Sequence, residues 1–527
     1  MFQSSRRDFF LKLSRLIGLA LFSRASLAEG ISTSSAAPTQ VAPDDFRSPG
    51  DTDREVLQKL ANALGNGVSA QIEGNFTIDR QIEIIGKSNF RIFGGGTITI
   101  ADRTPIDYGH SALYFASCSD FSIEDLNCDG NRSNRRPGEA AGHLVVIDAC
   151  HRWRMTRVRA DNGTTDGFLI HTSAGQGTGA ERTVTLADMP SDWIMEDCHA
   201  NNNCRQGLSI IESLNWTISG GSFSGTNGLW DLPGSSGPCA GVDLEPDHNP
   251  AYPHDRLRFG RIEAVTFEGN QGAGLLISSV DGVSNIVVDK CRFLNNRNSA
   301  IECVARDIQI IAPEIRGWDS GPYTARHDTP PKRGLIDLGV SAGPDIVIRE
   351  PYFADIRTSA DSELPLIYVH GGAREGIEIR GLKTDGSAKV IAHLLAPGMT
   401  FADADVQLGM PSKFPAFFAA GAGVRFMKNR IRNLVGVAVE CTSKQPLFIE
   451  NSFEIRQRGA HVPVLDCSQA EGGRFERNAV RHLSPARGTD FDFPRGATVI
   501  DNTSQNNLGK DWLVAPSPRV MKGNHRN

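Results

Sequence analysis

The sequence has little of what marks helical, membrane-spanning or nucleic-acid-binding proteins. No uninterrupted apolar run reaches the roughly 18–20 residues that a membrane-spanning helix needs. The formal net charge is −6, so the chain offers no basic surface that would attract nucleic acid. Beyond about residue 64, apolar residues no longer recur with helical spacing. These absences predict a protein with no membrane span and no nucleic-acid partner, built mainly from β-structure.

Cysteine is also sparse, with 10 residues in a chain of 527. This is too few for a dense disulfide scaffold, and no Cys-x-x-Cys or histidine-rich spacing predicts a metal site. Cys198 and Cys204 are close enough in sequence to form a bridge. Free cysteines packed in the core are the simpler expectation, because small thiols pack well in buried strands.

The N-terminus carries a pattern typical of an export signal. Arg6 and Arg7 precede Asp8-Phe9-Phe10-Leu11-Lys12, which resembles the twin-arginine motif, and an apolar stretch follows. Ser26-Leu27-Ala28 provides small residues for cleavage. We therefore expect a signal peptide over residues 1–28, a disordered leader over 29–50, and a mature protein that is periplasmic or secreted.

One helix is predicted, from about Asp53 to Leu64. Thr52 and Glu55 have the spacing of a capping box, and Gly65 ends the helix. A single helix before hundreds of residues of strand is typical of a cap over one end of a solenoid.

Two kinds of short strand then alternate along the chain. The first has a small residue before alternating apolar positions, with successive small residues roughly 26–40 positions apart, inside the range of solenoid repeats. Those small residues are Gly167, Gly207, Gly241, Gly274, Ala300 and Gly334. The second kind includes 193–198, 216–219, 285–291, 307–310 and 345–348, and asparagines such as Asn270 and Asn296 often follow it. The pattern predicts a right-handed parallel β-helix over residues 51–515, followed by a loose tail over 516–527.

The most informative segment is Gly241-Val-Asp-Leu-Glu-Pro-Asp247. As a strand it places Asp243 and Glu245 on one face, with Cβ atoms roughly 6.5–7 Å apart. That separation lies near the low end of the range used by inverting glycosidases. Asp243 and Glu245 are therefore candidate catalytic carboxylates, and solvated outward residues are the alternative. Asp247 is either a third carboxylate or a turn residue after Pro246.

Stacking the repeats predicts which outward side chains meet. Asp243 lies between Ser209 and Leu276, and Glu245 lies between Ile211 and Ser278. A further set of candidate substrate-binding residues falls on nearby coils or in the long connections over 172–190, 226–239 and 246–256, which we expect to border a binding site. These are Asp166, His171, Arg205, Gln206, Trp230, Asp231 and Glu302. Arg205 is suited to a carboxylate or phosphate, although pairing with Glu212 or Asp197 is an equal alternative.

The helix, the repeat and the Gly-Val-Asp-Leu-Glu-Pro segment together resemble the pectate-lyase-like superfamily of right-handed β-helix proteins. The resemblance implies a polysaccharide bound in a groove along the solenoid, and it leaves open a Ca²⁺ requirement and a homotrimer. Mannuronan epimerases of this superfamily carry Tyr-Gly-Phe-Asp-Pro-His. Here Ala240 stands for the Tyr and Glu245 for the His, which removes the acid and base candidates of that motif.

Three functions follow from these residues. Glycoside hydrolysis is favoured, with Glu245 assigned as the acid and Asp243 or Asp247 as the base. A polysaccharide lyase or uronate C5-epimerase is the first alternative. A non-catalytic glycan-binding β-helix is the second.

Overall fold

A computed structural model describes most of the chain after residue 38. The described residues are 39–102, 111–135, 142–173, 185–228, 237–246, 256–278, 282–318, 333–357, 364–409, 414–457, 463–486, 488–507, 512–515 and 518–526. Contacts divide the chain into residues 1–39, of which only Thr39 is described, and a compact unit from Gln40 to Asn527. The export signal predicted over 1–28 lies outside the described residues.

Within this described part, short strands form three parallel sheets that the chain visits in a fixed rotation. Each strand pairs in parallel with the equivalent strand one coil earlier and one coil later, as Leu208–Ile210 does with Phe168–His171 and Val242–Leu244. This arrangement is a parallel β-helix. We call the sheet that contains Val242–Leu244 the site sheet, and the others the second and third sheets.

The site sheet has 16 strands. They are Ile82–Ile85, Leu113–Ala116, Val145–Asp148, Phe168–His171, Leu208–Ile210, Val242–Leu244, Leu275–Ile277, Ile301–Cys303, Ile336–Leu338, Ile367–Val369, Ala392–Leu394, Phe417–Ala419, Val439–Cys441, Leu465–Asp466, Phe491–Asp492 and Leu513–Val514.

The second sheet has 18 strands. They are Gln40–Val41, Val68–Gln71, Ser88–Phe93, Ser119–Glu124, His151–Thr156, Ser191–Glu196, Ser213–Ser219, Leu257–Glu263, Val283–Asp289, Ile308–Ile311, Ile346–Arg349, Ile377–Arg380, Thr400–Ala402, Arg425–Met427, Leu447–Ile449, Arg474–Glu476, Thr498–Ile500 and Val520–Lys522.

The third sheet completes each coil. Its strands are Asn75–Ile78, Thr97–Ile100, Asn127–Asp129, Arg159–Asp161, His199–Asn201, Ser222–Ser224, Thr266–Glu268, Arg292–Leu294, Glu314–Arg316, Tyr352–Ala354, Lys383–Thr384, Asp405–Gln407, Arg430–Val435, Ser452–Gln457, Ala479–Ala486, Thr503–Asn507 and His525–Arg526.

The core is continuous because inward side chains of successive coils stack on one another. One stack of rings runs along the second sheet through Phe90, Phe121, Trp153, Trp193 and Trp216, with neighbouring centroids 4.7–6.2 Å apart. Offset aromatic pairs at such distances add to the stabilisation that burial provides. The alternation of inward apolar and outward polar residues is therefore what holds the coils in register.

The glycine before each site-sheet strand is required by close packing. A Cβ on Gly207 would lie 2.6 Å from the Gly241 carbonyl oxygen and 3.1 Å from the Phe223 ring. A Cβ on Gly241 would likewise lie 2.7 Å from the Gly274 carbonyl oxygen. The repeated small residue thus marks where the chain enters the site sheet, and it fixes the register of the following residues.

Buried asparagines reinforce the corners on both sides of the third sheet: Asn270 and Asn296 lie between the third sheet and the site sheet, and a longer ladder lies between the second and third sheets. The Asn270 amide donates to Asn296 Oδ1 at 2.8 Å and to the Phe223 carbonyl at 3.1 Å. A longer ladder of the same kind links five coils through Asn429, Asn451, Asn478, Asn502 and Asn524. These amides satisfy backbone groups that would otherwise be buried without a partner.

The helix α1, Asp53–Ala63, has the predicted capping box between Thr52 and Glu55. Its buried face, which includes Leu57 and Leu60, belongs to the same hydrophobic core as the first coils. Single turns of 3-10 helix also occur at Pro43–Phe46 and Arg132–Asn134. Among the described residues, no helix has the length and apolar character needed to cross a membrane.

Both ends of the solenoid differ from the expectation. Gln40–Val41 pairs with the strand Val68–Gln71, so ordered structure begins inside the leader predicted over 29–50. Val520–Lys522 and His525–Arg526 pair with the preceding coil, so the predicted loose tail contains strands. The sequence of this segment carries no repeat signal, yet its short strands pair through their backbones with the preceding coil. All 10 cysteines are buried and free, so Cys198 and Cys204 form no bridge.

Candidate functional site

The strand Val242–Leu244 presents its two faces as the alternation predicts. Val242 and Leu244 are buried in the core, and Asp243 is on the opposite face. Asp243 is nevertheless only 1% exposed, whereas the Glu245 side chain is 22% exposed. The two carboxylates thus lie in different environments although they share one side of the sheet.

The predicted columns match the register of the site sheet. Asp243 lies directly between Ser209 and Leu276. The Glu245 amide bonds to the preceding coil and the Ser278 amide bonds to the Asp243 coil, as the second column requires. His171 does not begin that column, however, because Asp148 lies opposite it one coil earlier.

Asp243 has only one hydrogen-bond donor among the described residues. Gln206 Nε2 donates to Asp243 Oδ2 at 3.1 Å, while Asp243 Oδ1 and Gln206 Oε1 are buried without a partner there. Burial, followed by the nearby charge of Glu245, raises the pKa of Asp243 well above its usual value. Asp243 is therefore a carboxyl group that holds its proton at pH values where an exposed aspartate would be ionised.

Arg205 connects the neighbouring carboxylates. It donates to Glu245 Oε1 at 2.8 Å, lies 3.7 Å from Asp166 Oδ2, and donates to the Gly237 carbonyl at 3.3 Å. Although burial alone would lower the pKa of Arg205, the charges of Asp166 and Glu245 raise it. The alternative partners expected from sequence are not the ones observed, since Glu212 pairs with Arg256 at 2.8 Å.

Asp166 is fully buried and remains an anion. His143 Nδ1 lies 3.0 Å from Asp166 Oδ2, and Ser209 Oγ donates to the same oxygen at 3.0 Å. The backbone N–H of Gln206 donates to Asp166 Oδ1 at 3.1 Å. Burial acts to raise the pKa of Asp166, but His143 first, and then Arg205 and Ser209, lower it overall. Asp166 thus holds the two residues, Arg205 and Gln206, that contact the candidate catalytic pair.

A groove of about 580 Å³ runs along the outer face of the site sheet. The ionisable side chains that line it are Tyr114, His143, His171, Arg205 and Glu245. Its apolar floor is formed by Val146, Leu169 and Ile211. Glu245 and Arg205 lie on the coils furthest along the chain, and Tyr114 lies near the other end. Asp243 and Asp166 are buried beside the groove and do not line it.

Tyr114, Asp148 and His143 were not among the residues chosen from sequence. The Tyr114 hydroxyl donates to Asp148 Oδ2 at 2.6 Å, and burial and this bond raise the pKa of Tyr114. Their coils lacked the expected signal, because Ala112 and Leu144 occupy the position that glycine holds further on. The columns of Asp243 and Glu245, continued upstream past Phe168–His171, contain Tyr114 and Asp148 respectively.

The remaining predicted residues lie elsewhere. Glu302 is in the Asp243 column, two coils further on, where Asn298 Nδ2 donates to it at 2.5 Å, and it does not line the groove. Gln206 is buried beneath the groove. Trp230, Asp231 and Asp247 lie outside the described residues, so their proposed roles stay predictions. Within the part of the chain that the structure describes, no group of three or more His, Cys, Asp or Glu side chains is arranged to hold a metal ion.

Comparison with known proteins shows the fold. No family model matches the chain, and no curated protein matches it. Gene product 12 of bacteriophage phi29 is similar in structure, with a TM-score of 0.56 and 13% identity over 89% of this chain and 68% of that one.

Two other solved structures have lower scores. The A-module of the mannuronan C-5 epimerase AlgE4 from Azotobacter vinelandii gives a TM-score of 0.40 and 14% identity over 73% of this chain and 98% of that one. The Streptococcus pneumoniae surface protein and adhesin PfbA gives 0.38 and 10% over 93% and 100%. At these values neither bears on the activity. The parallel β-helix architecture predicted from the sequence is confirmed by the three all-parallel sheets of the structure itself.

Proposed function

We propose that this protein is a carbohydrate-active enzyme that cleaves a polysaccharide lying along the groove, by glycoside hydrolysis. One observation carries the proposal: Asp243 and Glu245 share a face of one coil, yet their surroundings favour opposite protonation states. Burial raises the pKa of Asp243, whereas the Arg205 guanidinium lies 2.8 Å from Glu245 Oε1, a contact that favours a carboxylate. A pair of carboxyl groups separated in this way is what acid–base cleavage of a glycosidic bond requires.

The environments reverse the roles assigned from sequence. Asp243 would donate its proton to the glycosidic oxygen as the C–O bond breaks, and Glu245 would accept a proton from the attacking water. The products are one new reducing end and one free hydroxyl. The rise of a strand places the Cβ atoms of Asp243 and Glu245 roughly 6.5–7 Å apart. This lies near the low end of the separation found in inverting enzymes, which leaves room for that water, so inversion is the expected outcome.

Hydrolysis also requires that substrate reach Asp243. Asp243 is 1% exposed, so the proposal requires that substrate binding expose its carboxyl group. Asp243 Oδ1, which has no partner among the described residues, is the atom from which a proton could be delivered without breaking the bond to Gln206.

The central experiment compares variants on a panel of neutral and acidic polysaccharides. We expect the wild type to release reducing ends, and both Asp243→Asn and Glu245→Gln to lose this activity by about 10²–10⁴-fold. Glu268→Gln, an exposed carboxylate on the third sheet, is the matched control. Full activity in Asp243→Asn would refute the proposed acid, and binding without any product would indicate a glycan-binding protein.

A second candidate is β-elimination or C5 epimerisation of a uronate, and a specific observation favours it. The epimerase motif lacks its Tyr and His here, but Tyr114, His143 and His171 from other coils line the groove together with Arg205. A base, an acid and a cation to neutralise the uronate carboxylate are thus present. Ultraviolet absorbance of unsaturated uronates, or proton exchange at C5 without new reducing ends, would support this chemistry over hydrolysis.

We also propose that the protein is exported before it acts, because its N-terminus resembles a twin-arginine signal. Fusing residues 1–28 to a reporter, with Arg6 and Arg7 changed to Lys as the control, tests this.

Activity assays with and without a Ca²⁺ chelator, and light scattering for a trimer, test the two properties that the superfamily resemblance leaves open.

A further inference from the structure

A second cluster on the site sheet is not explained by the groove. Three ring-bearing residues, Tyr368, His393 and Phe418, lie directly opposite one another on three successive strands. Their ring centroids are 5.9 Å apart at each step, and His370 extends the set at 6.2 Å from Tyr368. We call these four residues the ring ladder.

The rings of the ladder are outward-facing and partly exposed. Tyr368, His393 and Phe418 each lie between two buried residues of their strand, as Tyr368 lies between Ile367 and Val369. The core therefore does not need these rings, because the inward positions already fill it. Adjacent rings lie within the distances at which aromatic pairs interact, so the ladder is a connected apolar surface on the outside of the solenoid.

The ladder continues the column that contains Asp243. From Asp243 the column runs through Leu276, Glu302 and Asp337 to Tyr368. Four steps of strand spacing put Tyr368 about 19 Å from Asp243. A chain molecule that follows the sheet beyond Glu245 would therefore reach the ladder without changing direction.

Carboxylates border the ladder on both sides. Asp337 precedes Tyr368 in the column, and Glu440, Asp466 and then Asp492 follow Phe418. A hydrophobic protein segment docked here would strip water from these charges without compensating them. Sugar rings have apolar C–H faces that stack on aromatic rings and hydroxyl rims that donate to carboxylates. Uronates, by contrast, would meet these carboxylates, which outnumber Arg333, a cation that lies 6.0 Å from the Tyr368 ring centroid.

We propose that the ring ladder is a second glycan-binding site, which takes an uncharged polysaccharide segment. It binds independently of cleavage in the groove, so its existence does not rest on the proposed function. Where that function holds, the ladder anchors long chains whose other part lies beside Asp243.

The test is affinity electrophoresis through gels that contain one polysaccharide each: mixed-linkage β-glucan, xyloglucan and pullulan as neutral probes, and alginate and polygalacturonate as acidic probes. We expect at least one neutral polysaccharide to retard the wild type, and Tyr368→Ala with Phe418→Ala to weaken that retardation at least five-fold. Phe259→Ala, a 49% exposed ring on the second sheet, is the matched control. Tyr368→Phe should keep binding, because the ring is retained.

The same gels separate this proposal from the proposed function. Asp243→Asn should be retarded like the wild type even if cleavage is lost. The proposal is overturned if no neutral polysaccharide retards the wild type, if only acidic ones do, or if the Tyr368→Ala, Phe418→Ala double variant binds normally while its circular dichroism matches the wild type. A ladder variant that fails to fold is replaced by Phe418→Ser alone, for which the same outcomes apply.

Discussion

At the scale of single residues, the site combines a protonated aspartate and a buried anionic one within one network. Asp243 is contacted by Gln206, and Gln206 in turn is held by Asp166. Asp166 also lies within 4 Å of His143 and Arg205, whereas Gln206 is the only side chain among the described residues that donates to Asp243. The arrangement sacrifices stability at Asp243, which is expected where a group is kept for its chemistry.

The first prediction concerns that sacrifice. Because the pKa of Asp243 is raised on folding, its stabilising contribution is fully present below about pH 3.8 and is lost as pH rises. At pH 8, Asp243→Asn should therefore unfold at a higher temperature than the wild type, while at pH 4 the two should differ less. Calorimetry at both pH values measures this. A variant that is less stable at pH 8 would contradict the protonation state assigned to Asp243.

The second prediction uses Asp337, whose pKa burial raises to about 6 against the opposing charge of Arg333. Between its usual pKa of 3.8 and about 6, the unfolded chain loses this proton before the folded chain does. The stability of Asp337→Asn relative to wild type should rise from pH 4 to pH 6 and stay constant above pH 7. Urea unfolding at each pH gives the difference, and a flat profile would be inconsistent with the raised pKa of the partly buried Asp337.

At the scale of elements, the strands are predictable from sequence to the extent that their register signals are complete. A Cβ does not fit at the glycines before Leu208 and Val242. These glycines mark the start of each strand, and the column that they predict for Asp243 is confirmed. Leu113–Ala116 and Val145–Asp148 lack that glycine, so Tyr114 and Asp148 were missed. The contact of Arg205 with Glu245 joins residues 40 positions apart, and local pattern cannot choose between such partners and nearer ones.

The third prediction concerns the asparagine ladder as an element. Asn451 accepts a bond from Asn429 and donates to the Phe426 carbonyl at 2.8 Å and to Asn478 at 2.9 Å. Asn451→Leu leaves these buried groups without partners, at a cost of about 1–3 kcal/mol for each unsatisfied group. Urea unfolding should show the loss. The change Asn75→Leu, at an exposed position of the strand Asn75–Ile78, serves as the control, and an equal effect there would argue against a ladder-specific role.

At the scale of the whole molecule, each coil contacts mainly its two neighbours, as in other repeat proteins. The overall architecture was predictable because apolar alternation and small-residue spacing recur many times. The burial of Asp243 was not, because it depends on neighbouring coils and connections rather than on the strand that carries it.

The fourth prediction follows from this nearest-neighbour organisation. Amide hydrogens in the central strands, such as Leu208–Ile210, should exchange slowest, and those of Val520–Lys522, which pair on one side within the described residues, should exchange fastest. The strands beside α1 should be protected further by its buried face. Hydrogen exchange read by mass spectrometry tests the gradient, and uniform protection would show that the solenoid opens as one unit.

The coils of the solenoid follow one another at a constant spacing. Since Asp243 and Tyr368 belong to one column, their separation is set by the number of turns between them and by nothing else. Duplicating one turn in that interval would move the ring ladder about 4.8 Å further from the carboxyl pair. A version of this protein with more or fewer coils in that interval would therefore hold the carboxyl pair and the ring ladder at a different separation, while the residues of each stayed the same.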